Sequence, residues 1–326
     1  MALTEFATGN AATVQRWAEK LWIEMPHEIY WGKMMKENTI ETIIEVKRDL
    51  EGKPGDKLSY TLVRGLEGDG VVDDAVLEGN EELLTNYSDL LTLSQLRNAV
   101  RLAGRLSERR TAFDQRMAAK NILKKWLAET IDEDIFTQFD SSPTDVQFGG
   151  NATSIATIDT GSTLTVSRIE ALVARAQKAS PQIWPVRVDE GDYYVLVSHV
   201  DVAYDLRQST QWLDASQEAG PRDYAKNQLF TGRLGVVGGC VVHAHRAVPI
   251  TTNYGAAGTL TGASMPFLGR QAGVFAWGAR PEWWEKEFDY GNQIGFAIGA
   301  IWDFKKSVFN AADHAVIVLR TYRTSN

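Results

Sequence analysis

Five histidines are spread over 326 residues, and three of them fall where chemistry could be built: His199 in His199-Val200-Asp201, and the pair in His243-Ala244-His245. In an extended strand, residues i and i+2 point to the same face. The His243 and His245 rings could therefore share a metal ion, with His199 or Asp201 completing an open site that activates water for hydrolysis. The plainer reading is an exposed strand face. Gly235-Val236-Val237-Gly238-Gly239 has the glycine content of a phosphate-cradling loop. It lacks the Gly-Lys-Ser/Thr ending of a P-loop and runs into the strand-like Cys240–His245 rather than a helix, so it reads as a tight turn between strands. Gly-x-Ser-x-Gly, the nucleophile elbow, is absent. Cys240 beside Val241 and Val242 reads as a small buried hydrophobe, not a nucleophile. The carboxylate pairs Asp73-Asp74 and Glu81-Glu82 lie in a loop-rich stretch, where solvation is the expected role. No cofactor is called for, and the lack of a convergent catalytic set shifts the weight from enzymes to structural and assembly roles.

The composition sets the frame. Against 42 Asp and Glu stand 34 Lys and Arg, a net charge of −8, so the chain has no global electrostatic pull on nucleic acid. No interleaving of basic and aromatic residues marks a nucleic-acid groove. Hydrophobic residues make up 44% and charged residues 23%, the balance of a globular chain rather than a disordered one. Apolar runs such as Tyr193–Val197 and Ala315–Leu319 are strand-length, well below the roughly 20 residues of a bilayer span, so no membrane partner is expected. The N-terminal Met-Ala-Leu-Thr-Glu-Phe-Ala has neither a basic segment nor an apolar core and is not a secretory signal. A single cysteine excludes an internal disulfide framework and fits a reducing cytosol.

The elements that must position these residues follow from periodicity. Residues 1–40 read as an aromatic-rich arm that packs on the rest of the chain or on a neighbour, with a short amphipathic helix over Thr13–Trp22 carrying Val14, Trp17 and Leu21. Residues 41–91 read as two strands, Ile40–Lys47 and Leu58–Val63, divided by the turn Lys53-Pro54-Gly55-Asp56, and then a projecting hairpin. That hairpin, Arg64–Glu82, holds four glycines and seven acidic residues, and a loop of about 20 residues without a period is either functional or extended away from the body. Residues 92–139 read as the strongest element. Ala119, Ile122, Leu123, Trp126, Leu127 and Ile131 recur at the spacing of one buried helix face. Arg101, Arg105, Arg109, Arg110, Arg116, Lys120, Lys124 and Lys125 concentrate positive charge along it, as a solvated face or as a surface for an acidic partner.

Asp140–Thr163 reads as a connection with short strands, and Thr165–Lys178 as a helix with Ile169, Leu172, Val173 and Ala176 on one side. A strand at Tyr193–Ser198, a helix at Val200–Trp212 and a strand at Val241–His245 follow. A glycine-rich span then covers Gly255–Gly278, before closing strands near Ile294–Phe304 and Ala315–Thr321. No fixed-period repeat or low-complexity linker appears, and the irregular interleaving of helices and strands indicates an α+β fold.

Several runs resemble one family. Leu77-Glu78-Gly79-Asn80-Glu81-Glu82, Arg110-Thr111-Ala112-Phe113-Asp114 and Ala119–Trp126 are similar to stretches of the major capsid proteins of tailed phages of the N-four type. So are His199–Arg207, Asn227–Gly232 with Leu234-Gly235, and Asp289-Tyr290-Gly291-Asn292 leading to Lys305-Lys306, in the same order from about residue 40 to the end. The resemblance implies the Hong Kong 97 capsid fold. Residues 1–40 would be an N-terminal arm, 41–91 strands and an extended E-loop, and 92–190 a peripheral domain with a spine helix within 107–139. Residues 191–300 would be mainly an axial domain, and 301–326 closing strands returning to the sheet.

Mechanism on this basis is assembly of many copies into pentamers and hexamers of an icosahedral shell around packaged double-stranded DNA, with portal, scaffolding and decoration proteins as further partners. The location implied is the virion, assembled in the bacterial cytoplasm. Contacts between copies would join the acidic Glu78, Glu81 and Glu82 to the basic Arg105, Arg109 and Arg110. Some shells of this fold carry a lysine–asparagine crosslink, but Arg64–Glu82 contains no lysine, so a non-covalent shell is expected. DNA would be contacted weakly and without sequence specificity, since an acidic inner wall repels packed DNA and lets it slide. The metal-dependent hydrolase using His243, His245 and Asp201 stands as the alternative.

Overall fold

A computed structural model describes residues 28–37, 39–63, 68, 70–73, 76–110, 114–188, 191–212 and 233–324. In chain order, a 3-10 turn at Tyr30–Met34 leads to strands β1 (Met35–Glu37), β2 (Ile44–Lys47), β3 (Lys57–Val63), β4 (Asn86–Thr92) and β5 (Ser94–Arg101). Helices α1 (Arg105–Arg110) and α2 (Gln115–Asp140) follow, then β6 (Val146–Phe148), α3 (Val166–Lys178), β7 (Val186–Val188), β8 (Gly191–Ser198) and α4 (Val200–Gln208). The rest is strand: β9 (Arg233–Val237), β10 (Cys240–Ala244), β11 (Ile250–Tyr254), β12 (Leu260–Leu268), β13 (Gly273–Phe288), β14 (Gln293–Lys306), β15 (Val308–Phe309), β16 (Ala312–Asp313) and β17 (Val316–Tyr322).

The long helix α2 starts where Asp114 caps it, its Oδ1 accepting from the amides of Arg116 at 2.9 Å and Met117 at 3.2 Å. Its buried face is Ala119, Leu123, Leu127, Ile131, Ile135, Phe136 and Phe139. The expected stripe is rotated from this: Ile122 is 63% exposed, while Lys120 and Lys124 are buried. Long aliphatic stems let lysines line an apolar face while their ammonium groups reach a rim, and Lys124 Nζ meets Glu28 at 2.7 Å. The element expected over 92–139 is also not one helix. Leu96 and Val100, four apart and so on one face of a strand, are the half-buried residues of β5, and this segment pairs antiparallel with β14.

Two sheets flank α2. The five-stranded sheet runs β1-β2-β13-β14-β5, and the larger one runs β6-β17-β12-β8-β10-β9 with β11 on β12 and β7 on β8. α2 contacts β5 and β14 of the first and β12 and β17 of the second, so one continuous apolar core serves both. Its last turns also receive the chain's start. Trp31 is fully buried, its ring 4.9 Å from Phe136 and 5.3 Å from Phe139. The final residues of the segment read as an arm thus pack on the body, while the helix expected at Thr13–Trp22 lies outside the described residues.

The strand expected at Ile40–Lys47 is limited to Ile44–Lys47, and it does not pair with the one expected at Leu58–Val63, which is present. β2 lies parallel to β1 and β13, whereas β3 pairs with β4 in a separate antiparallel ribbon. The glycine-rich span Gly255–Gly278 is mostly sheet. At Gly262 a Cβ would sit 2.0 Å from the Tyr254 ring, so only glycine lets β11 and β12 approach there. The expected unit 191–300 is divided between the two sheets, because the β13–β14 hairpin belongs to the five-stranded one and β14 runs through residue 300 unbroken. Helix α3 and the closing strand β17 fall where periodicity puts them, with Ile169, Leu172, Val173 and Ala176 buried.

Where the chain passes from one sheet to the other, Lys306 and Asp313 form an ion pair at 2.8 Å with side chains only 6% and 2% exposed. Lys306 Nζ also donates to the Ser142 carbonyl, and Asp313 Oδ2 accepts from the Thr144 amide, which ties the end of α2 into the same junction. Phe136→Ala should lower the unfolding free energy of the unassembled chain by about 3–5 kcal/mol, while Ile122→Ser changes it by about 0.5 kcal/mol or less. Urea denaturation of the two variants checks which face of α2 is the core.

Candidate assembly surfaces

The histidines are absorbed by packing. His243 and His245 do share a neighbour, with their ring centroids 6.4 and 4.3 Å from that of Tyr30. His245 also stacks on Phe136 at 5.2 Å, and its Nδ1 accepts from the Ala247 amide at 3.2 Å. Burial, and then Arg246, push its pKa down. His199 caps α4, its Nδ1 accepting from the Asp201 amide at 3.2 Å, and burial lowers its pKa although Asp201 works the other way. Asp201 itself is held by Arg323 at 2.5 Å. Among the described residues no group of three or more His, Cys, Asp or Glu could hold a metal ion. Gly238 and Gly239, at φ 54° and 85°, make the two-residue turn between β9 and β10. Cys240 is fully buried and its thiol is pushed up to about 12 by that burial.

What remains exposed and chemically pointed is the ribbon. β3 and β4 pair from Lys57↔Thr92 to Val63↔Asn86, and the described residues between them, 68, 70–73 and 76–85, lie at its tip. Within the tip, Glu82 Oε2 accepts from the Gly68 amide at 2.8 Å and Glu81 Oε2 from the Gly79 amide at 2.7 Å, while Glu78 is exposed. Glu67, Asp69 and Asp74 lie outside the described residues. Val72, Val76, Leu77, Leu83 and Leu84 are 60–88% exposed, so the tip is apolar as well as acidic. At the root, Asp89 accepts from Tyr60 Oη at 2.8 Å and Lys305 Nζ at 2.5 Å. Burial alone would raise its pKa, but those hydrogen bonds and the Leu90 amide outweigh it and hold the carboxyl below its usual range.

The basic side is narrower than the sequence count. Lys120 and Lys124 are buried, and Arg116 Nη2 is 2.6 Å from Glu285. Arg105 braces the β13–β14 turn, its Nε donating to the Gly291 carbonyl at 3.1 Å, and Arg101 lies over the Phe288 ring at 4.2 Å. Arg109 and Arg110 are exposed at the end of α1. On the same two helices Leu106, Met117 and Ile122 are 49–64% exposed. Periodicity placed Ile122 on the buried stripe and did not single out Leu106 or Met117; their signal is an apolar side chain among charged neighbours. Each surface is therefore a charged rim with aliphatic side chains that a lone subunit leaves in water.

The whole chain has known counterparts. It matches the phage capsid protein family over residues 5–141 and 137–324. It is 29% identical to the major capsid protein of Pseudomonas phage KPP25, covering 94% of this chain and 92% of that one. Its fold matches the capsid of Ralstonia phage GP4 with a TM-score of 0.81 at 30% identity, over 99% of both chains. The Cyanophage Pam1 capsid gives 0.79 at 23% identity, over 99% of this chain and 100% of that one, a likeness of fold. The fold is of the Hong Kong 97 type, as the resemblance implied.

Asp132, on the buried face of α2, accepts the Tyr30 amide at 2.9 Å and the Trp31 amide at 3.3 Å. Burial outweighs those bonds and, with Glu129, raises its pKa to about 6. Its folded pKa exceeds its unfolded one, so the folded chain binds the extra proton and stability rises as pH falls from about 6 towards 4, by up to about 3 kcal/mol. Asp132→Asn should flatten the melting temperature across that window, as differential scanning fluorimetry of the unassembled chain would record.

Proposed function

From its membership of the phage capsid protein family, to which this chain belongs, we propose that it is the major capsid protein of a tailed phage and builds the shell from copies of itself. The observation that carries this is the full-length match, in sequence and fold together, to a capsid at 30% identity. The family is a structural one, and the protein's place is the virion. In this reading the shell is icosahedral, is assembled in the bacterial cytoplasm and encloses double-stranded DNA. Portal, scaffolding and decoration proteins are its other partners, and the DNA is contacted weakly.

The parts map onto that role. The β3–β4 ribbon with its tip is the extended E-loop, α2 the spine helix, the five-stranded sheet the peripheral region and the larger sheet the axial region. The ribbon tip of one copy lies on the α1–α2 surface of the next, with Glu78, Glu81 and Glu82 facing Arg109 and Arg110 while the aliphatic side chains of both surfaces leave water. Arg105, exposed and with its Nε bonded to the Gly291 carbonyl, is the third member of the basic set. Such a contact is heterologous and is repeated around each ring, so a weak pair gains from closure.

Electron microscopy of the expressed protein, with and without scaffold, should show closed shells or tubes; small particles under every condition would overturn the reading. Glu81→Lys with Glu82→Lys should reduce particle yield at least about tenfold, as should Arg109→Glu with Arg110→Glu, and the four changes together should restore it. Because the shell is non-covalent in this account, particles boiled in detergent should run as single chains on a gel, and a ladder of multimers would refute it.

A further inference from the structure

Resting on that reading, we infer that Asp89 is the positioning residue that sets the angle at which the ribbon leaves the subunit, and so the geometry in which one copy meets the next. Seven-residue strands extend about 23 Å, so a few degrees at the root become several ångströms at the tip. The root has little apolar footing. Leu91, Val274 and Ala276, with Leu58, Tyr60 and Leu93 against them, form a small cluster separate from the main core.

The orientation is supplied instead by one carboxylate. Asp89 faces Tyr60 across the ribbon and is 12% exposed. It gathers the Tyr60 hydroxyl from β3, the Lys305 ammonium from β14 and, at 3.4 Å, the Val308 amide at the start of β15. Lys305 Nζ donates in turn to the Leu90 carbonyl at 2.9 Å, so ribbon and sheet are clasped from both directions. Alongside the same root lies a cleft of about 200 Å³ lined by Glu45, Lys47, Tyr60, Gln271 and His314. A lever with a small apolar seat, a polar clasp centred on Asp89 and open space on one flank pivots once that centre is removed, while the body it hangs from keeps its own core.

Hydrogen exchange of the unassembled chain tests the clasp directly. In Asp89→Ala, amides of 57–63 and 86–92 should exchange about tenfold faster, while those of α2 and the melting temperature stay near wild type. Lys305→Arg, which keeps the charged donor, should exchange as wild type does. Shells assembled from Asp89→Ala should be heterogeneous in diameter by electron microscopy. Unchanged ribbon exchange overturns the inference, as does equal acceleration in α2, which would make Asp89 a part of the core. Uniform shells of wild-type diameter overturn it too. If the wild-type chain forms no shells, the capsid reading fails, and the exchange comparison still decides what Asp89 holds.

Discussion

The structure depends on one demand: a 26-residue helix must remove a long face from water, and neither sheet alone covers it. α2 therefore lies against strands of both, and its burial turns two sheets into one core. The same helix receives Trp31 near its end and holds the Tyr30 and Trp31 amides through Asp132. The buried Lys306–Asp313 pair closes the junction on the far side, where removing either partner would strand a charge.

The ribbon is organised by opposite physics. It is two strands wide, and a two-stranded sheet is marginal in water without a surface to lie on. Its tip carries aliphatic side chains that no described part of its own subunit covers. In the proposed assembly, another copy would supply the surface that the tip lacks. The root is held by a polar clasp that keeps direction without a large apolar seat. A rigid body with a directed but lightly seated extension is what a shell of many identical copies requires, since each copy must fit slightly different neighbours.

Much of the fold was legible in local pattern. α3 was readable because its four buried residues stand at helical spacing with no charged residue among them. β17 and the central part of β14 were readable as apolar strand-length runs. The ribbon was visible as an acidic, glycine-bearing segment too long to be an inner loop. The face of α2 was misread because Lys120 and Lys124 count as polar in any periodicity, although their stems are buried, and Ile122 counts as core although it faces out. β5 is not legible in its residues, because Leu96 and Val100 stand four apart with Asn98 exposed between them. The histidine pair was placed on one face correctly, yet its chemistry was decided by rings from Tyr30 and Phe136, more than a hundred residues from it.

By itself the sequence determined the class of the protein: an acidic α+β chain without a catalytic set, whose ordered runs match capsid proteins. Composition and local spacing suffice for that, because burial preference and turn chemistry act over a few residues. Which strands pair was decided only by the tertiary structure. β2 could have paired with β3 and instead lies beside β13, more than two hundred residues away, because the parallel register there covers the main core. Which charges are available was decided in the same way. Of eight basic residues along 101–125, two are buried and four are engaged within the subunit, Lys125 with Glu129 among them, while Arg109 and Arg110 stand exposed. Charge is a property of a residue, but its availability is set by what folding packs around it.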